Sequence, residues 1–131
     1  MNFFESISTC YKNFFKIEGR AIRSEYWWFH LFFVIIISLP SWDVDIDSKI
    51  LRNLLGIVLL SAIIPGITVA IRRLHDVNKS GGYLFLSLIP ILGSIILLFM
   101  LIPEGDKGKN RFGINPLNKK NIHKKIRKVK K

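Results

Sequence analysis

Three long apolar runs that contain no Asp, Glu, Lys or Arg dominate this chain. They cover residues 26–42, 54–71 and 81–103, and short charged segments separate them. Because a helix rises ~1.5 Å per residue, runs of about 17, 18 and 23 residues measure roughly 25–35 Å, the thickness of the apolar core of a bilayer. The pattern therefore indicates that lipid surrounds the middle of this protein.

The composition supports a membrane protein. Half of the 131 residues are hydrophobic, while 20 Lys and Arg stand against 9 Asp and Glu, which gives a net charge of +11. In a soluble domain the apolar residues would recur at a helical or strand period, whereas here they form blocks. We predict an all-α fold: a small polytopic integral membrane protein with about three transmembrane helices, in a single membrane domain over residues 1–116. Cys10 is the only cysteine, so no intrachain disulfide is expected.

The segment before the first run has the pattern of an amphipathic helix over residues 3–16. At ~100° per residue its aromatic and aliphatic side chains fall on one side and its polar side chains on the other. The apolar side consists of Phe3, Phe4, Ile7, Tyr11, Phe14 and Phe15. Such a helix is expected to lie flat in the membrane interface.

The third run allows two topologies. Its length favours a single crossing. Its charges favour a re-entrant hairpin at residues 89–93, because a hairpin returns the eleven Lys and Arg that follow Pro103 to the side of the N-terminus, and positive charge concentrates on the cytoplasmic side. We expect three helices and leave the side of the C-terminus open. Residues 117–131 form a Lys-rich tail that is predicted to be disordered in water.

The runs themselves argue against coupled transport. Transporters and proton pumps place ionisable groups at membrane depth, and here His30, close to the interface, is the one candidate. No metal-ligand set or cofactor motif is found, so no metal and no cofactor are predicted.

Basic residues gather at the ends of the runs. Two consecutive crossings return the chain to its starting side, so the segments before the first run and after the second run share a face. This basic rim comprises Arg20, Arg23, Arg72, Arg73 and Lys79, and Arg111 follows the third run. Side chains that could pair with or orient these cations are Glu25, His75, Asp76 and Asn110.

The rim has two interpretations. In the first, the cations only fix the orientation of the protein in the membrane. In the second, they form a pocket for an anionic group such as a lipid phosphate, since the planar fork of arginine binds phosphate oxygens bidentately. Hydrolysis by His75 and Asp76 is disfavoured, because no nucleophile or metal-ligand set accompanies them, and no catalytic residue is predicted.

Small residues recur on one face of the second run at Ala62, Gly66 and Ala70. A ladder of this kind lets helix backbones approach closely. We expect it to pack against another helix of the same chain; the alternative is the seam of a homo-oligomer.

Three motifs together resemble a known family. They are FKIEGRAIRSEYWWF at residues 15–29, RRLHD at residues 72–76 followed by Lys79, Ser80 and Gly81, and the closing pattern at residues 105–116 with NRFG at residues 110–113 and Asn115-Pro116. In order and spacing they resemble the bacterial inner-membrane proteins catalogued as domain of unknown function 805. The resemblance implies a multi-pass protein of the bacterial cytoplasmic membrane and supplies no activity.

The leading functional hypothesis is a non-enzymatic binding or scaffold protein whose basic rim engages anionic lipid headgroups. The alternative is a small transporter or channel component, homo-oligomeric or assembled with other membrane proteins. Nucleic-acid binding is disfavoured, because no aromatic residues lie among the lysines of the tail to stack on bases.

Overall fold

The computed structural model describes residues 1–39 and 49–118, and regular structure in these ranges is helical. The α-helices described are Phe3–Lys12 (α1), Arg23–Ser38 (α2), Lys49–Asp76 (α3) and Leu92–Leu101 (α4), and a 3₁₀ helix spans Gly81–Leu88. The one β pairing in these ranges is an isolated bridge between Asn110 and Gly113. The predicted all-α class is therefore confirmed.

The described chain divides into two compact units. The first unit joins Met1–Lys16 with Ser24–Val69, and the second unit joins Ile17–Arg23 with the described residues from Ala70 onward. The assignment of residues 1–116 to one membrane domain stays a prediction. Apart from Leu117 and Asn118, the predicted tail lies outside the described residues.

Helix α1 begins at a capping box. Asn2 Oδ1 accepts the Glu5 N–H at 2.8 Å, and Glu5 Oε2 accepts the Asn2 N–H at 3.2 Å. These two bonds satisfy backbone donors that a helix N-terminus otherwise leaves without partners. The helix ends at Lys12, four residues earlier than the predicted segment 3–16.

The first unit is held together by small and aromatic side chains of α1 and α2. Ser6 is buried, and its Oγ donates to the Ser24 carbonyl at 3.2 Å. The Phe3 ring lies 6.0 Å from the Trp28 ring, and the Tyr11 ring lies 6.1 Å from the Phe29 ring. Part of the predicted aromatic face thus packs on α2, and the interfacial position of α1 stays a prediction.

Helix α3 is the one helix in the described ranges that is long and apolar enough to cross a membrane. Its 28 residues would extend roughly 42 Å at ~1.5 Å per residue. Helix α2 is described to Ser38, and the end of the predicted span 26–42 lies outside the described residues. The count of three spans therefore stays a prediction.

The third apolar run folds as two short helices and not as one. The 3₁₀ helix has eight residues and α4 has ten, and residues 89–91 connect them. A Cβ added to Gly93 would lie 1.8 Å from the Leu86 carbonyl oxygen, whereas in a continuous helix residues seven apart are separated by about 10 Å. The chain therefore bends sharply between the two helices and brings Gly93 against Leu86.

Two short helices differ from the single kinked helix expected over residues 81–103, and whether this run crosses the membrane once or forms a hairpin stays a prediction. The physical reason lies in the connection. Pro90 cannot donate a backbone hydrogen bond, and Ile91 adopts a φ of 60°, so the helical hydrogen-bond pattern cannot run through this point. The side of the membrane on which the C-terminus lies stays a prediction.

Substitution of Gly93 tests the hairpin. In a Gly93→Ala variant the new methyl group collides with the backbone of Leu86, which can move only if the two short helices separate. We expect a lower midpoint of thermal unfolding in detergent, by circular dichroism, than for the wild-type chain. Gly56→Ala is the matched control, because a Cβ at this helical glycine meets nothing within 4 Å and alanine is the better helix former. Equal midpoints for both variants would contradict the close packing at Gly93.

Candidate functional site

A buried carboxylate with two arginines occupies the second unit. Asp76 Oδ1 accepts a hydrogen bond from Arg20 Nε at 2.8 Å, and Asp76 Oδ2 accepts one from Arg73 Nη1. Both arginine side chains are fully buried, and the Asp76 side chain is 5% exposed. We call Arg20, Arg73 and Asp76 the ion cluster. The sequence placed all three among its predicted site residues, and the structure brings them together.

Arg20 uses every one of its donors inside the protein. Beyond the bond from Nε, its Nη1 donates to the Gly108 carbonyl at 2.7 Å and to the Gly113 carbonyl at 3.2 Å. Its Nη2 donates to the backbone carbonyls of Asp76 and Asp106. Since a guanidinium has five N–H donors, Arg20 is saturated.

Arg73 connects the same carboxylate to the end of the third apolar run. Its Nε donates to the Leu101 carbonyl at 3.1 Å, and its Nη2 donates to the Pro103 carbonyl. The Asp106 N–H in turn donates to the Asp76 carbonyl at 2.9 Å. The ion cluster therefore fixes the path of residues 103–115, which we call the closing segment.

The charges in the ion cluster explain its tight coordination. Asp76 is the last residue of α3, where the helix macrodipole disfavours a negative charge. Two guanidinium groups offset that effect, and the buried ion cluster then carries one net positive charge. Desolvation of such a group costs several kcal/mol unless its donors are matched, and here backbone carbonyls supply the matching acceptors.

Two asparagines shape the closing segment. Asn110 Nδ2 donates to the His75 carbonyl at 2.9 Å, and its Oδ1 accepts the Phe112 N–H at 3.0 Å. The buried Asn115 donates from Nδ2 to the Asp106 carbonyl at 2.9 Å. Gly113 has a φ of 129°, which a residue with a side chain rarely adopts, so the turn requires glycine.

His75 lies in a stack with the closing segment. Its ring is parallel to the Phe112 ring at a centroid distance of 3.8 Å, and the Arg111 guanidinium carbon lies 4.7 Å from the Phe112 centroid. His75 Nδ1 is 3.1 Å from the Gly19 carbonyl, which can only accept, so this nitrogen carries the proton. Arg111 is exposed and donates from Nη2 to the Asn78 carbonyl at 3.1 Å.

A cavity of about 610 Å³ opens beside this stack. It is mainly apolar, with one carboxylate, one guanidinium and one imidazole side chain. Its lining consists of Ile17, Glu18, Gly19, Ile71, His75, Gly81, Gly82, Phe85, Arg111 and Phe112. All of these residues belong to the second unit.

The remaining predicted site residues do not join the ion cluster. Arg23 Nη1 lies 3.5 Å from Glu104 Oε1 in an exposed pair, and Lys79 is exposed with its Nζ 6.0 Å from the Tyr83 ring centroid. Arg72 is buried, and its carbonyl accepts the Ala21 N–H at 2.9 Å. Glu25 is buried in the first unit.

Two of the three residues of the small-residue ladder are buried. Ala62 and Ala70 are both buried, and a Cβ added to Gly66 would lie 3.7 Å from a ring carbon of Phe29. Gly66 thus lies close to α2 of the same chain, and the packing role of the whole ladder stays a prediction. No three His, Cys, Asp or Glu side chains in the described ranges come together to hold a metal ion.

Sequence reasoning missed three features of this site. Glu18 and Phe112 lie in the motifs given above, but no function was predicted for either. The third feature is the set of backbone carbonyls in the closing segment that accept hydrogen bonds, which no residue type identifies in a sequence. The available signal was the spacing of Gly105, Gly108 and Gly113, since glycines allow backbone carbonyls to approach a buried group.

Paired glycine substitutions in the closing segment test the ion cluster. A Cβ at Gly105 would lie 1.9 Å from Asp76 Oδ2, and two guanidiniums prevent the carboxylate from moving aside. We expect Gly105→Ala to lower the unfolding free energy by about 1–3 kcal/mol or more, as overpacking does. Gly108→Ala serves as the control, because its Cβ meets nothing within 4 Å. The measurement is thermal or denaturant unfolding in detergent, and a neutral Gly105→Ala would refute the packing described.

Comparison with known proteins places the sequence of this chain in a family. A family model described as "Protein of unknown function (DUF805)" matches residues 14–114. Inner membrane protein YhaI of Escherichia coli K12 is 37% identical over 105 residues, covering 80% of this chain and 89% of that protein. Inner membrane protein YhaH of the same strain is 34% identical over 112 residues, covering 80% and 90%. No solved structure gives a significant match.

These matches confirm the resemblance in the sequence motifs and the predicted location in the bacterial inner membrane. The matched residues include the ion cluster, the cavity lining and nearly all of the closing segment. The chain belongs to the DUF805 family of proteins of unknown function.

Proposed function

We propose that this inner-membrane protein is a non-enzymatic binding or scaffold protein that engages the phosphate groups of lipid headgroups at the cavity of the second unit. The observation that carries the proposal is a mainly apolar cavity with an exposed arginine at its edge. The ion cluster has a supporting role, because the donors of Arg20 are already taken by the protein.

The position of the cavity along the sequence supports a lipid ligand. Ile71 is the last residue of the second apolar run, Gly81 is the first residue of the third, and Ile17 lies nine residues before the first run. Two of the contributing segments therefore lie where the sequence changes between apolar and polar residues. Such boundaries are where headgroups and acyl chains meet.

Arg111 is the residue suited to contact a phosphate. Its side chain is exposed, and the bond from Nη2 to Asn78 together with the contact to Phe112 holds the guanidinium in one orientation. A preoriented guanidinium presents two N–H groups to phosphate oxygens with less loss of side-chain entropy than a free arginine. Lys79, also exposed, adds positive charge at the end of the second run.

The lining gives reason to propose binding and not catalysis. Its one imidazole, His75, directs Nδ1 to the Gly19 carbonyl and has Phe112 stacked on its face. None of the described lining residues is a serine, cysteine, threonine or lysine that His75 could activate as a nucleophile. The proposal therefore assigns no reaction to this cavity.

Charge removal at Arg111 tests the proposed function. A hydrogen bond to a charged group contributes ~1.5–3 kcal/mol, so Arg111→Gln should weaken binding of a phospholipid to the detergent-solubilised protein by about tenfold or more. Native mass spectrometry with phosphatidylglycerol measures this affinity. Lys109→Gln is the matched control, because Lys109 is exposed in the same segment and does not line the cavity. Equal losses in both variants would indicate a non-specific charge effect and would contradict the proposal.

A further inference from the structure

The cavity carries opposite charges at its edge. Arg111 supplies the positive charge, and Glu18 supplies the only carboxylate among the lining residues that the structure describes. Glu18 is exposed and makes no hydrogen bond or ion pair with other described residues. The fold therefore does not require this carboxylate, in contrast to Asp76.

A purely anionic headgroup fits this arrangement poorly. If its phosphate lies on Arg111, the rest of the headgroup shares the cavity with the Glu18 carboxylate, and like charges at close range disfavour binding. A headgroup with a phosphate and an ammonium group pairs with both side chains. The acid and the base in one cavity thus favour a zwitterionic ligand.

The type of ammonium group can also be inferred. A trimethylammonium group has no N–H to donate and is held mainly by open aromatic faces. In this cavity the Phe112 ring is already contacted by His75 and by Arg111, which leaves Phe85 as the one other aromatic ring of the lining. A primary ammonium can instead donate to the Glu18 carboxylate in a charge-assisted hydrogen bond.

The rest of the lining is suited to contact the apolar part of a lipid, its acyl chains. Ile17, Ile71 and Phe85 are apolar, and Phe85 is 75% exposed. A volume of about 610 Å³ lies within the ~300–1,000 Å³ of typical ligand sites and exceeds the needs of a bare phosphate. A lipid therefore fits the site better than a free headgroup.

We propose that the cavity selects a phospholipid with a primary amine, of the phosphatidylethanolamine class, by pairing its phosphate with Arg111 and its ammonium with Glu18. This inference rests on the proposed function, because it uses the same contact between Arg111 and phosphate. It adds a second contact and hence a preference among lipids.

The test compares three lipids with identical acyl chains on the full-length protein in detergent by native mass spectrometry. The wild-type protein should bind phosphatidylethanolamine about three- to tenfold more tightly than phosphatidylglycerol or phosphatidylcholine. Glu18→Gln should abolish this preference, and Glu104→Gln, which removes an exposed carboxylate outside the cavity, should retain it. Unchanged thermal unfolding of Glu18→Gln shows that the variant is folded.

Three outcomes would overturn the proposal, and they differ in whether the proposed function is overturned as well. Equal binding of the three lipids, with a loss of affinity in Arg111→Gln, would overturn the preference and leave the proposed function standing. If Arg111→Gln and Glu18→Gln both bind lipid as tightly as the wild-type protein, the lipid preference and the proposed function are both overturned. Soluble glycerophosphoethanolamine that competes as tightly as the lipid itself would identify a free headgroup as the ligand and overturn the assignment to a lipid.

Discussion

The buried Asp76 carboxylate determines how the second unit is arranged. It ends the long helix α3, and Arg20 and Arg73 each donate to one of its oxygens. The same two guanidiniums then hold carbonyls between Leu101 and Gly113, a stretch with almost no regular structure. Because this stretch has almost no helix or strand to order its backbone, charge-assisted hydrogen bonds to its carbonyls stabilise one conformation.

The candidate ligand site depends on the ion cluster through adjacent residues. Gly19 precedes Arg20, and His75 precedes Asp76, so fixing the charged pair also fixes the carbonyl and the imidazole that meet at the edge of the cavity. The closing segment supplies Phe112 and Arg111 to the same place. Arginines predicted from the sequence as ligands thus differ in their positions: Arg20 and Arg73 are buried in the ion cluster, and Arg111 lines the cavity with an exposed side chain.

Much of the fold could be predicted because membrane-spanning helices require long runs of apolar residues, which are easily recognised in a sequence. Uninterrupted apolar runs predicted the all-α class and the region of α3, and the paired charges of Arg20, Arg73 and Asp76 were expected to meet at the ends of the runs. The break at Pro90 was harder to predict, because run length alone favours one crossing over residues 81–103. Whether Pro90 kinks one helix or separates two depends on the backbone conformation at Ile91, which the residue type does not reveal.

The site was less predictable than the fold. An arginine that binds a lipid phosphate and one that binds the protein's own carbonyls look alike in a sequence, since both lie beside apolar runs. The acceptors of Arg20 are backbone atoms at Gly108, Gly113 and Asp106, and any residue type provides a carbonyl. Glu18 was not predicted as a site residue, because a single exposed acid near a basic cluster is usually part of the solvated surface.

The saturation of Arg20 also has a consequence for the chain during its synthesis. Arg20 and Asp76 are translated before residues 106–113, so a nascent chain that has not yet reached Asp106 lacks three of the carbonyls that accept hydrogen bonds from Arg20. Until those carbonyls are present, the corresponding N–H groups of the guanidinium need other acceptors, such as water.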